Sequence, residues 1–194
     1  MTLLLRNGVK DSIRILAVVT IAAVASPASA ALVDFESLAI DELVTNQFES
    51  DGILFSNGVT LVEGISLYEI YFPPSSGTNV ISGLDLGPIE AALLWGASHV
   101  SLQITTAIPA RVSYFDSLDA LLGETLVAPN LGGHTLVSFD SLTPIGRVSI
   151  GDSMLGSASF LAVDDFEFEA AETPEPFVAG ILPFAAAAVR RRRA

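Results

Sequence analysis

The stretch Gly52-Ile-Leu-Phe-Ser-Asn-Gly-Val-Thr-Leu-Val62 indicates the fold class of this chain. Two short apolar runs flank Asn57 and Gly58 in it. An Asn-Gly pair favours the positive φ that a tight turn between antiparallel strands requires. We therefore predict a β-hairpin whose turn lies at residues 56–58.

Short β-like segments continue on both sides of this stretch. We predict strands at residues 33–36, 66–72, 99–105, 110–116, 123–128, 134–140, 147–152 and 159–169. Their spacing of about 10 to 15 residues is typical of a sandwich. Within this series of segments, only residues 89–95 indicate a helix. The sequence thus predicts an all-β, two-sheet antiparallel sandwich, jelly-roll-like, with a short hydrophobic helix near the C-terminus.

The N-terminal segment has the three parts of a secretory signal peptide. Arg6, Lys10 and Arg14 form a basic region, residues 15–25 are apolar, and Ala28-Ser29-Ala30 is a small-residue cleavage site. We predict cleavage after Ala30, so that the exported chain begins at Ala31.

The C-terminal segment combines a polar turn, a short apolar run and a basic end. Pro174-Glu175-Pro176 is followed by the apolar residues 177–189. As a helix this run covers about 20 Å, which is short of the ~30 Å hydrocarbon core of a bilayer. The chain then ends in Arg190, Arg191, Arg192, Arg193 and Ala194, which would hold this end in the cytoplasm. A tail anchor is the alternative interpretation.

This layout resembles the PEP-CTERM sorting domain of exported proteins of Gram-negative bacteria. The resemblance implies that an exosortase, a membrane transpeptidase, recognises Pro174, Glu175 and Pro176 while the segment sits transiently in the inner membrane. It also implies delivery to the cell surface or to an extracellular, exopolysaccharide-rich matrix. The predicted organisation is a signal peptide at 1–30, a β-sandwich domain at 31–172 and a sorting signal at 173–194.

The predicted sandwich domain is strongly acidic. Seven of the nine basic residues and two of the 22 acidic residues lie in the two end segments, which leaves 20 acidic against two basic residues, a formal charge of −18. Nucleic acid is excluded as a partner, because its binding requires basic residues that neutralise phosphates. The chain also has no cysteine, which excludes disulfides and thiolate metal sites.

The ends of the predicted domain carry a second resemblance. The segments Val33-Asp34-Phe35-Glu36 and Val163-Asp164-Asp165-Phe166 are similar to those of the β-sandwich domains common in PEP-CTERM proteins, which in turn resemble carbohydrate-binding jelly rolls. The resemblance implies a structural Ca²⁺ between the first and last strands, with Asp34 or Glu36 opposite Asp164 or Asp165. The alternative is that these acids keep edge strands from pairing with other molecules.

Four aromatic residues are candidates for sugar stacking, because flat rings pack on the apolar faces of sugars. They are Trp95, Tyr68, Tyr71 and Tyr114. Trp95 lies in an apolar run, which favours core packing instead. If residues 66–72 are a strand, Tyr68 and Tyr71 point to opposite faces and cannot form one surface.

Catalysis has little support in the sequence. Gly151-Asp152-Ser153-Met154-Leu155 resembles the GDSL block of serine hydrolases, but it lies late in the chain and a turn between strands explains it better. We predict no catalytic residues. The sequence favours an exported structural or interaction protein. A carbohydrate-binding module with structural Ca²⁺ is the second hypothesis and a secreted hydrolase the third.

Overall fold

The computed structural model describes residues 30–171, apart from 85, 86, 154, 155, 157 and 159. Ala28, the sorting motif Pro174-Glu175-Pro176, the apolar segment after it and the arginine cluster lie outside the described residues. Within residues 30–171 there is no helix long and apolar enough to cross a bilayer.

Ten β-strands make up almost all regular structure of the described residues, with one 3₁₀ turn at Glu49–Asp51. Every strand pairs with its neighbours in antiparallel fashion. This confirms the predicted all-β antiparallel class. The strands are β1 Ala30–Val33, β2 Leu43–Val44, β3 Ile53–Ser56, β4 Gly58–Val62, β5 Asn79–Gly83, β6 Ile89–Thr106, β7 Ala110–Phe115, β8 Leu121–Val127, β9 Thr135–Asp152 and β10 Leu161–Ala170.

The two longest strands, β6 and β9, pair with each other over two separate stretches, and each stretch belongs to one half of the fold. Their first contact joins residues 89–92 of β6 to residues 147–150 of β9, and their second joins residues 99–104 to residues 135–140. Between these stretches the register shifts, and Gly96 adopts a φ of 69° that a glycine tolerates. The buried apolar residues of β6 have odd numbers before this point and even numbers after it. Because of this change, one strand contributes core side chains to both halves of the fold.

The core is packed between these halves. The strand β3 pairs with the first part of β6, and β10 pairs with the second part of β6. Phe55 of β3 contacts Phe166 of β10 at a ring-centroid distance of 5.6 Å. Phe35 and Phe48 complete the aromatic cluster through edge-to-face contacts with Phe55. Burial of these rings stabilises a chain that has no cysteine and therefore no disulfides.

The predicted hairpin at Asn57 and Gly58 is wrong, although the turn is present. Asn57 has a φ of 59°, as the Asn-Gly signal requires. However, β3 pairs with β6, whereas β4 pairs with β2 and β5. The Asn57 side chain donates hydrogen bonds to the carbonyls of Gly87 and Pro88, so the turn carries the chain from one half of the fold to the other.

Two further predicted elements are wrong. Residues 89–95 are not helical but begin β6, because Ile89, Ala91 and Leu93 alternate into the core. Residues 66–72 form turns rather than a strand. The Val62 carbonyl accepts the N–H groups of residues 65–67, and the Tyr68 carbonyl accepts those of Tyr71 and Phe72, so these groups bond locally and not to a neighbouring strand. Several predicted strand ends also differ: residues 134–140 and 147–152 belong to the single strand β9.

Tyr114 leads to a testable prediction about alkaline stability. Its ring is fully buried and stacks on Phe139 at 4.3 Å, and its hydroxyl makes no hydrogen bond within the described residues. Burial raises the pKa of Tyr114 to about 12. The folded state therefore keeps a proton that the unfolded chain releases near pH 10, so stability falls as the pH rises above about 10.

We expect Tyr114→Phe to remove this loss of stability at alkaline pH. At pH 7 the variant should have the same free energy of unfolding as wild type or one up to about 1 kcal/mol higher, because it deletes a buried, unpaired hydroxyl. Urea unfolding at pH 7 and pH 11 measures both effects. Replacing the exposed Tyr68 by phenylalanine is the control and should change neither value. Equal stability loss in wild type and Tyr114→Phe between these pH values would show that the Tyr114 hydroxyl does not cause it.

Candidate binding surface

A groove of about 500 Å³ crosses the solvent-facing side of β1, β10, β6 and β9. Cross-strand pairing builds it: Leu32 lies opposite Glu167, Glu167 opposite Ser101, and Gln103 opposite Leu136. Alternate residues of the same strands, such as Leu102 and Phe168, point into the core. We call this surface the outer groove; its lining is Leu32, Asp34, Ser76, Ser101, Gln103, Leu136, Asp165 and Glu167.

The outer groove offers polar groups between two apolar walls. Leu32 and Leu136 are both exposed. Gln103, between them, makes no side-chain hydrogen bond within the described residues, so both ends of its amide can face a ligand. The Ser101 hydroxyl donates to a Glu167 carboxylate oxygen at 3.4 Å, a long bond that a ligand hydroxyl could replace.

A second, smaller depression of about 290 Å³ lies further along the same strands. His99 sits between Asp140 and Glu169 in the strand register, and its Nδ1 is 2.7 Å from Asp140 Oδ1. The Asp140 side chain is mostly exposed, so this pair is a surface contact. The depression extends the polar character of the outer groove toward the Ala170 end of β10.

The predicted calcium residues Asp164 and Asp165 lie at an irregularity of β10. The register of β10 against β6 shifts after Asp164, and Asp165 has a φ of 46°. Asp164 Oδ2 accepts the backbone N–H groups of Ser75 and Ser76 at 2.8 and 3.0 Å, and its Oδ1 accepts the N–H of Asp165. Burial raises the pKa of Asp164 above its ordinary value, the negative charge of Asp165 adds to this, and the backbone donors oppose both.

Glu36 and Asp165 complete this arrangement. One Glu36 oxygen accepts the N–H groups of Thr78 and Asn79, and the Asp165 carboxylate accepts the hydroxyls of Ser75 and Ser76. We call Glu36, Asp164 and Asp165 the carboxylate clamp, because together they hold the loop at residues 75–79 against β10.

The carboxylate clamp does not fit a calcium site. A Ca²⁺ ion needs six to eight free oxygen ligands, whereas these oxygens already accept hydrogen bonds from N–H and O–H donors that point at them. Asp34, the fourth predicted ligand, uses Oδ1 to accept the Glu36 N–H. Across residues 30–171, wherever the structure describes them, no three histidine or acidic side chains group closely enough to hold a metal ion.

Three of the four candidate aromatic residues are exposed, contrary to two expectations. Trp95 is 62% exposed rather than in the core, and its ring packs against Gly52, where a Cβ atom would overlap it. Tyr68 and Tyr71 are 62% and 45% exposed, and they lie on one surface rather than on opposite faces. Their ring centroids are 5.0 Å apart. Tyr114, the fourth candidate, is buried.

The hydrolase hypothesis gains no support from the contacts of the described residues. The Ser153 backbone carbonyl accepts a hydrogen bond from Arg111, and its N–H donates to the Pro109 carbonyl. The two histidines contact Asp140 and Thr105 instead. Among the described residues, neither histidine contacts Ser153, so the base that would activate a serine nucleophile is not beside it there.

The charge distribution restricts the ligands. Arg147 bonds to Glu90 and Asp119, and Arg111 lies 3.6 Å from Glu124, so both arginines of the described chain already face carboxylates. Neither lines the outer groove. An anionic ligand would meet only acidic and neutral groups there.

Comparison with known proteins gives no family. No family model matches the chain, and no curated protein matches it. Among solved structures, it is similar to the K2 cleaved adhesin domain of Lys-gingipain (13% identity, TM-score 0.49, covering 72% of this chain and 99% of that one). It is also similar to a mutant of the family 29 carbohydrate-binding module CBM29-2 complexed with mannohexaose (10% identity, TM-score 0.46, covering 75% and 94%). These values are too low to assign a family.

Proposed function

We propose that this protein is a non-catalytic interaction module that binds neutral polysaccharide through the outer groove. The observation that carries the proposal is the groove itself, in which Gln103, Ser101 and Glu167 converge between Leu32 and Leu136. A concave site with apolar walls and a few converging polar groups is typical of small-ligand recognition. Sugars present hydroxyls to such polar groups and C–H surfaces to such walls.

The charge of the surface favours neutral sugars over uronates and phosphorylated polymers. Asp34, Asp165 and Glu167 line the outer groove without any arginine or lysine. Carboxylates can accept hydrogen bonds from sugar hydroxyls, but they repel an anionic chain at low salt.

Calorimetric titration with cellohexaose, mannohexaose and an oligogalacturonate tests this proposal. We expect binding of at least one neutral hexaose and none of the oligogalacturonate. Gln103→Ala should weaken binding roughly tenfold, which corresponds to about 1.4 kcal/mol for the lost hydrogen bonds. Leu126→Ala, at an exposed position on β8, is the matched control and should bind like wild type. Unchanged affinity of Gln103→Ala would place any binding elsewhere.

We further propose that the protein is exported and then sorted to the cell surface or extracellular matrix by an exosortase. The support is the sequence: a signal peptide before Ala31, and Pro174-Glu175-Pro176 followed by an apolar run and Arg190, Arg191, Arg192 and Arg193. The intact mass and C-terminal peptide of the native protein, from membrane and extracellular fractions, test this proposal.

We expect a product that begins at Ala31 and ends near residues 174–176. Glu175→Ala should accumulate as an uncut chain in the membrane fraction, whereas Glu172→Ala, just before the motif, should be cut normally. A wild-type chain that keeps all four terminal arginines in the membrane would instead identify the segment as a tail anchor.

A further inference from the structure

The exposed rings of Tyr68 and Tyr71 form a surface that the outer groove does not include. The two rings are inclined at 39° with centroids 5.0 Å apart, which makes a shallow V open to solvent. Neither hydroxyl makes a hydrogen bond within the described residues. We call this pair the tyrosine platform.

The tyrosine platform is held in place before any ligand binds. The Tyr68 carbonyl accepts the N–H groups of Tyr71 and Phe72, and the Tyr71 carbonyl accepts the N–H of Gly132 at 2.9 Å. Leu67, the residue before Tyr68, is buried against Val80 and Ala162 in a small cluster separate from the main core. A fixed loop loses little conformational entropy on binding, so exposed rings on it are suited to a ligand.

The size and charge of the tyrosine platform favour a sugar over a protein or a lipid surface. The exposed fractions of Tyr68 and Tyr71 add up to about one whole tyrosine side chain, roughly 200 Å². Even with the exposed Ile65 and Ile70 the area stays well below the ~800 Å² per partner of a standard protein interface. Residues 30–171 contain no lysine and only two arginines, both of which face carboxylates, so this part of the chain disfavours anionic lipids and phosphates.

The tyrosine platform lies at one end of the same face as the outer groove. Ala162 of β10 is covered by the tyrosine loop, and Glu167 of the same strand lines the groove. Their partners on β6, Thr105 and Ser101, are four residues apart, so at about 3.3 Å per residue these positions are roughly 13 Å apart. Between them runs the loop of residues 73–78, whose Ser76 borders the groove.

We propose that the tyrosine platform is an end subsite, at which a pyranose ring of a long neutral polysaccharide stacks while the rest of the chain occupies the outer groove. This inference rests on the proposed function of the groove and adds a second contact along the same glycan. Because the two contacts are far apart, only a ligand of several sugar units reaches both of them. Short oligosaccharides therefore report on the outer groove alone, whereas long ones report on the groove and the tyrosine platform together.

Titration of wild type and variants with neutral oligosaccharides from two to eight units tests the inference. We expect affinity to rise with length, and Tyr68→Ala with Tyr71→Ala to remove that rise, a loss of about tenfold for the longest oligosaccharide. The same double variant should bind disaccharide like wild type. Gln103→Ala should weaken binding at every length, and Leu118→Ala, exposed on another loop, should weaken none.

Replacement of both tyrosines by phenylalanine separates stacking from hydrogen bonding and should keep most of the length dependence. Wild-type length dependence in the double alanine variant would overturn the inference and leave the groove proposal standing. Failure of wild type to bind any length would overturn both. Binding of a proline-rich peptide that requires both tyrosines, with sugar binding unaffected, would overturn the inference in favour of a peptide ligand.

Discussion

Replacing Phe55 by alanine is expected to lower the free energy of unfolding by about 3–5 kcal/mol, the range for a large buried aromatic side chain. Phe55 is buried and contacts Phe35, Phe48 and Phe166. Its removal therefore leaves a cavity at the point where β3 and β10 meet and breaks three ring contacts at once. Urea unfolding, followed by circular dichroism, measures the loss.

Phe160→Ala is the matched control, because the Phe160 side chain is exposed and only its backbone carbonyl accepts hydrogen bonds. We expect a change within about 0.5 kcal/mol. The urea dependence of the unfolding free energy should stay the same in both variants. A loss below 1 kcal/mol for Phe55→Ala would show that the aromatic cluster is not the centre of the core.

The second large effect concerns the carboxylate clamp. Asp164→Ala is expected to cost about 2–4 kcal/mol, because it leaves the N–H groups of Ser75, Ser76 and Asp165 without their acceptor. Asp164→Asn should be intermediate, since its amide oxygen can still accept from Ser75 and Ser76 while its NH₂ group faces the Asp165 N–H. Thermal unfolding of both variants gives the ranking.

Asp140→Ala provides the control for the clamp, because Asp140 is an exposed acid whose one ion pair among the described residues is with His99, and such pairs contribute at most about 1 kcal/mol. Addition of Ca²⁺ or EDTA is expected to leave the melting temperature of wild type unchanged. A rise of several degrees with Ca²⁺, lost in Asp164→Ala, would contradict the assignment of Asp164 as a loop clamp and would support the calcium site that the sequence resemblance implies.

The sign of the pH effect at Asp164 follows from its raised pKa. In the folded state this carboxyl binds a proton at a pH where the unfolded chain has lost it. Its contribution therefore favours the folded state at low pH and is lost as the pH rises through the folded pKa. The backbone donors of Ser75 and Ser76 limit that loss, because they stabilise the ionised form.

Local sequence signals predicted where turns and strands lie better than they predicted which strands pair with each other. The Asn57-Gly58 pair correctly indicated a turn with positive φ, but the same signal applies whether the flanking strands pair with each other or with distant strands. Residues 89–95 are rich in alanine and leucine, which have helical preference, and tertiary packing overrides it by burying every second side chain.

For the residues of the outer groove and the carboxylate clamp too, the sequence indicates the position in a strand but not the neighbours from other strands. Alternation in residues 99–105 indicates that Ser101 and Gln103 face the same side of a strand, and this much can be taken from the sequence. That Glu167 and Leu136 lie beside them depends on which strands become neighbours. Likewise, the sequence resemblance pairs Asp34 or Glu36 with Asp164 or Asp165, but it does not indicate Ser75, which donates to Asp164 and lies 89 residues earlier in the chain.

The first strand, β1, lies beside the end of the last strand, β10, so the two ends of the described chain are close together. Ala30 lies opposite Glu169, and the Ala171 N–H bonds to the Gly96 carbonyl, so the described chain starts and stops at one pole. The tyrosine platform sits near Leu161, at the other pole, about 30 Å away along β10. The described chain therefore stops at one end of β10, and the two tyrosines lie near the other end of the same strand.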